Sequence, residues 1–153
     1  MTTIASAYEN FCENRFPLPR EEQLDELERQ IDASFPDDYR QFILQYNGGF
    51  FNEPRIAPPD NECPLDRLTY LKGIGASHPC AELGTEADIL LFDDNDPLEI
   101  LPIGTTLMGN LLILVMRPDE KGSILLKVAD SDDYHLLAEG IEEFFTLLQV
   151  PPS

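Results

Sequence analysis

Basic residues are scarce in this chain and tryptophan is absent: ten Lys and Arg stand against 29 Asp and Glu, for a net charge of −19. A surface so short of cations cannot neutralise a phosphate backbone, which excludes direct nucleic-acid binding, and anionic lipid repels it. Long hydrophobic runs are lacking too. The longest clearly apolar stretch is Leu111 to Met116, far short of the roughly 20 residues that a membrane-spanning helix needs. The opening MTTIASAYENF has neither a basic start nor an apolar middle, so no signal peptide is expected and a cytoplasmic location is. Cysteines number three, an odd count at wide spacing (Cys12, Cys63, Cys80), which does not make a disulfide framework. No GxxxxGK[ST] run is present, and Gly48 and Gly49 follow a helical pattern rather than open one, so a phosphate loop is excluded.

What is there suits one domain over residues 1–153, with 42% apolar residues and nine Phe and five Tyr to fill a core. Ile4, Tyr8 and Phe11 recur at helical spacing until FPLP interrupts them. Leu24, Leu27 and Ile31 mark one face of a charged helix from about 20 to 31. In FPDDYRQFILQYNGGFF, residues 35–51, Pro36 suits a first helical turn, and Asp37 and Asp38 face the positive end of the helix dipole. Tyr39, Phe42, Ile43 and Tyr46 follow at i, i+3, i+4, i+7. Asn47 and Gly48 should end that helix with a left-handed residue, and Phe50 and Phe51 are expected to fold back on it. Residues 52–66 read as a Pro-rich loop, and 67–75 as a strand.

The second half changes period. DILLFD (88–93), LEILPIG (98–104), NLLILVMR (110–117) and SILLKVA (123–129) are short apolar runs separated by turn formers. They predict an antiparallel meandering sheet of about four to six strands. A closing C-terminal helix begins at Gly140, with Ile141, Phe144, Phe145 and Leu148 on one face. N-terminal helices, then strands, then a helix give an α+β fold.

Chemistry-bearing constellations are few. Cys63, His78 and Cys80 match no zinc spacing, and Cys12 with His78 or His135 has no local support as a nucleophile pair. DDNDPLE (93–99) and DSDD (130–133) invite a calcium reading. Counted from Asp94 and Asp130, the sixth and twelfth positions hold Glu99 and Thr105, and His135 and Ile141, where a calcium loop needs Gly and Glu. No metal and no cofactor is therefore expected. The remaining candidates are for binding a partner: the acidic clusters Asp93, Asp94, Asp96 and Glu99, and Asp130, Asp132 and Asp133, each in a turn, beside Glu21, Glu22, Asp25, Glu26 and Glu28 along one helix. Leu107 and Met108, in a turn, either anchor a partner or fold into the core. Such acidity serves either fast, salt-sensitive association with a basic protein or plain solubility.

The pattern resembles the SUKH superfamily, the Smi/Knr-type proteins. LDELERQI, FPDDYRQFILQYNGG, LPIG, GNLLILV, GSILLKV and LAEGIEEFFTLL carry the likeness in order, over roughly residues 20 to 148. Departures are TTLMG, where members often have a Gly-rich turn, Gly140, where a Ser is common, and residues 52–88, which match nothing in the pattern. The resemblance implies an α+β domain without enzymatic activity or shared catalytic residues. It further implies an immunity protein that neutralises a cognate, nuclease-like bacterial toxin, or alternatively a regulatory or scaffold protein that binds another cellular protein.

Overall fold

The structure is a computed structural model and describes residues 3–58, 63, 65–76, 78–85, 100–116, 121–129, 131 and 133–149. Among these residues the chain forms four helices and nine strands. In order they are α1 (Thr3–Phe11), β1 (Cys12–Asn14), α2 (Glu21–Ile31), α3 (Asp37–Gln45), β2 (Gly49–Phe51), β3 (Arg55–Ile56), β4 (Asp66–Leu71), β5 (Ile100–Thr106), β6 (Leu111–Val115), β7 (Ile124–Lys127), β8 (Tyr134–Ala138), α4 (Ile141–Thr146) and β9 (Leu148–Gln149). The strands make one antiparallel sheet in the order β1-β2-β4-β5-β6-β7-β8, and β3 lies between β4 and β9. The fold is α+β. Its sheet exceeds the expected four to six strands because β1, β2, β3 and β9 are only two or three residues long, too short to leave a period-2 signature. The DILLFD run lies outside the described residues.

Helices cover one face of the meander. Leu101 and Ile103 of β5, Leu112 and Leu114 of β6, and Ile124 and Leu126 of β7 alternate inward. They join Leu24, Leu27 and Ile31 of α2, Tyr39, Phe42 and Ile43 of α3, and Ile141, Phe144 and Phe145 of α4 in a single core. Each such side chain contributes roughly 1.5–3 kcal/mol by leaving water. Arg40 fastens α3 to α2: its guanidinium donates to Glu28, to Asp25 at 2.9 Å and to Glu21 at 3.4 Å. Glu28 also accepts the Phe35 N–H at 2.7 Å, fixing the entry to α3.

The Tyr39 side chain fits α3 to the core through its ring alone. It is 1% exposed, and its hydroxyl finds no hydrogen-bond partner among the described residues. A buried hydroxyl left unsatisfied is costly, so Tyr39→Phe should raise stability by about 1 kcal/mol. Urea denaturation measures this directly, and a loss of stability would show that the hydroxyl is bonded.

At the other end of α3 the sequence Asn47-Gly48-Gly49 makes a knot. Asn47 and Gly48 both take left-handed backbone, with φ of 59° and 72°. The fully buried Asn47 side chain donates to Pro17 O at 2.7 Å and Ile74 O at 2.8 Å, and accepts the Ile74 N–H at 2.8 Å. Tyr8 closes the knot by donating its hydroxyl to Gly48 O at 2.9 Å. Burial pushes the Tyr8 phenol well above its ordinary pKa, which keeps that donor protonated. The expectation that Phe50 and Phe51 fold back on α3 is corrected. They lie in β2, whose alternation sends Phe51 into the main core beside Tyr8 and Phe145, and Phe50 into a second cluster with Phe16, Ala76 and Ala81.

Candidate partner-binding surface

One end of the sheet gathers the chemistry. Leu68 of β4 pairs with Thr106 of β5, Leu111 of β6 with Lys127 of β7, and Lys127 with Tyr134 of β8. The start of β4, the β5–β6 turn and the β7–β8 turn therefore lie side by side.

A buried carboxylate organises this end. Asp66 opens β4 at 7% exposure. It accepts hydrogen bonds from the Thr106 hydroxyl, the Asn110 side-chain amide at 2.9 Å, the Met108 N–H at 3.1 Å and the Arg67 N–H at 2.8 Å. Four donors account for a carboxylate's acceptor sites. Asn110 turns its side-chain oxygen the other way and accepts the Ala129 N–H at 2.9 Å, which ties the β5–β6 turn to the β7–β8 turn. Across the turn the Thr106 N–H donates to the Asn110 carbonyl at 3.1 Å, and the Asn110 N–H donates to the Thr106 hydroxyl oxygen at 3.1 Å. A loop with this many internal bonds holds its conformation in solution.

That turn presents apolar side chains to water. Leu107 is 50% exposed and Met108 67% exposed, and Leu65, just before β4, is 72% exposed. They line a cleft of about 410 Å³ together with Arg55, Asp66 and Arg67. Of the two readings open for Leu107 and Met108, the one that buries them in the core is excluded. Asp133, in the neighbouring turn, is exposed. Its N–H donates to Ser131 Oγ at 3.0 Å, and its carbonyl accepts the Val128 N–H at 3.0 Å, so among the described residues the turn's bonds run through its backbone and not its carboxylate. The structure thus brings three of the candidate residues, Leu107, Met108 and Asp133, to one end of the sheet. Asp93, Asp94, Asp96, Glu99, Asp130 and Asp132 lie outside the described residues.

Asp66, Thr106, Arg55, Arg67 and Leu65 were not singled out by sequence reasoning. The usable signal was Asp-Arg-Leu-Thr-Tyr-Leu, where an acidic residue occupies an inward position of an alternating strand. Of the cysteine and histidine side chains raised as metal or nucleophile candidates, Cys63 belongs to the main core with Cys12 packed against it, while His78 rests on Phe50 of the second cluster at 5.0 Å between ring centroids.

The order and spacing of these elements can be set against known proteins. The model of the SMI1 / KNR4 family (SUKH-1) matches residues 18–147, from just before α2 to the end of α4. The chain belongs to that family. Within the SMI1 / KNR4 frame, the Asn47-Gly48-Gly49 knot and the Gly109-Asn110 strand opening are both structural devices: one seats the end of α3, the other braces the exposed turn. Among curated proteins the chain is similar to the SPbeta prophage-derived uncharacterized protein YokK of Bacillus subtilis (strain 168), at 28% identity over 160 residues, covering 90% of this chain and 79% of that one. No solved structure matches the chain at a significant level. No helix among the described residues is long and apolar enough to cross a membrane.

Proposed function

We propose that this chain is a non-enzymatic protein-binding domain, an immunity protein that binds and neutralises a basic, nuclease-like bacterial toxin. The observation that carries the reading is the braced turn, which holds Leu107 and Met108 outward beside Leu65. Exposed apolar side chains on a rigid support are what a partner-binding hot spot needs, since little conformational entropy is lost on docking. Membership of the SMI1 / KNR4 family supports a protein partner. The net charge of −19 supports a basic one, because a field of that sign accelerates encounter with a cationic surface.

Steering and anchoring are separable in kinetics. Replacing Asp93, Asp94 and Asp96 together with Asn should slow association up to about tenfold at low salt and flatten its salt dependence, with dissociation little changed. Stopped-flow mixing reads this, and an unchanged association rate would remove these residues from the steering surface. The mode of action is read by titration. Added to a toxin domain encoded beside its gene, the chain should suppress toxicity linearly to a one-to-one end point. Protection far below one-to-one would mean catalysis, and a solitary gene whose product captures ordinary cellular proteins would favour the regulatory or scaffold role.

A further inference from the structure

The cleft beside the braced turn holds a feature that runs against the charge of the whole molecule. Arg55 of β3 and Arg67 of β4 are register partners on adjacent antiparallel strands, which places their Cβ atoms about 4.5–5.5 Å apart on the same face. Both side chains are partly exposed and both line the cleft. Like charges directly opposite one another oppose strand pairing unless an anion sits between them. Among the described residues neither guanidinium has an ion-paired or hydrogen-bonded carboxylate, although the chain carries 29 acidic residues. Asp66, the carboxylate that lines the same cleft among the described residues, is taken up by its four donors. Two guanidinium forks thus border an apolar shelf of Leu65, Leu107 and Met108.

We infer that this cleft is a binding site for an acidic side chain flanked by apolar residues on a partner polypeptide. The carboxylate bridges Arg55 and Arg67 through paired N–H···O bonds, the geometry for which guanidinium groups are suited. The neighbouring apolar side chains cover Leu107 and Met108. Such a contact acts at short range. The overall field of −19 still selects a basic partner at long range, and one acidic residue of that partner then fixes its register. This inference rests on the reading of this end of the sheet as a contact surface, and not on the partner being a toxin.

The test uses the whole chain, labelled with nitrogen-15, and the probe acetyl-Ala-Leu-Glu-Leu-Ala-amide. Backbone amide shifts at Arg55, Arg67 and Met108 should saturate with the Glu peptide about tenfold more tightly than with the same peptide carrying Gln, and added salt should weaken the Glu peptide selectively. The double variant Arg55→Gln/Arg67→Gln should erase the difference between the two peptides, while the partly exposed positions leave folding intact by circular dichroism. Arg55→Lys/Arg67→Lys, which keeps the charge but not the fork, should restore only part of it. Equal binding of the Glu and Gln peptides would overturn the inference, as would saturation by inorganic phosphate as tight as by the peptide. A dimer seen by sedimentation that the double variant dissolves would overturn it too, in favour of a second copy as the occupant. The titration needs no toxin, so its failure leaves the one-to-one neutralisation and its salt-dependent association standing. Failure of those, in turn, leaves the peptide result intact.

Discussion

Asp66→Ala should destabilise the chain by about 3–5 kcal/mol and loosen the turn that carries Leu107 and Met108. The substitution leaves the buried Asn110 amide and the Met108 and Arg67 N–H groups without their acceptor, and leaves the Thr106 hydroxyl only the longer 3.4 Å bond to the Asn110 carbonyl. A buried donor without a partner costs roughly 1–3 kcal/mol, and the two backbone groups add less because water reaches the turn. The loss should appear as a lower urea midpoint. Hydrogen exchange gives the sharper readout: the Met108 amide, now unprotected, should exchange far faster, while amides of α2 and α3 change only in step with global stability. Protection at Met108 equal to that of the unaltered chain would show that Asp66 does not hold the turn. Asp66→Asn should cost less, since the amide oxygen still accepts, but its NH2 meets the donor groups of Thr106 and Asn110.

Gly48→Ala should destabilise by about 2–5 kcal/mol through a different cause. A Cβ on Gly48 would stand 2.5 Å from Leu71 O and 2.6 Å from Lys72 O, both backbone atoms, and the residue sits at φ +72°. The left-handed conformation alone costs a side chain about 1–2 kcal/mol, and forcing atoms into a packed site adds about 1–3 kcal/mol. Gly109→Ala separates the two contributions. That glycine is also left-handed, at φ +83°, but a Cβ there meets nothing within 4 Å, so only the conformational part should be lost. Equal losses at the two positions would mean that the close approach of α3's end to β4 has no energetic weight.

Where the chain's own periodicity sets the structure, the sequence was readable. Leu24, Leu27 and Ile31 mark α2, the Gly140 N-cap marks the start of α4, β6 and β7 fall within their apolar runs, and β5 overlaps its run and continues two residues past it. These are local signals, each complete within a dozen residues. The site was less legible because distant partners make it. Asp66 looked like the end of a polar loop, and its burial depends on Thr106 and Asn110, 40 and 44 residues further on. Arg55 meets Arg67 only because the two residues of β3 pair with β4, and a strand that short has no pattern of its own. The expectation that Phe50 and Phe51 both fold back on α3 overlooks β2, a strand that sends neighbouring residues to opposite faces. Leu107 and Met108 could be flagged because apolar residues in a turn are unusual, but their outward direction is set by the bonds that their N–H groups donate to the Arg67 carbonyl and the Asp66 carboxylate.

The most direct measurement is a parallel affinity capture. The tagged chain and its Leu107→Ser/Met108→Ser variant would each be exposed to lysate of the source organism at low salt. Both columns would be eluted stepwise with salt, and the bound proteins identified by mass spectrometry. The exposed positions leave folding unchanged, which circular dichroism verifies. The expected result is one basic protein, bound one-to-one by the unaltered chain, released by salt and lost from the variant. Recovery of the same proteins on both columns, or of nothing that survives modest salt, would contradict binding through the braced turn and leave the acidity as a solubility device.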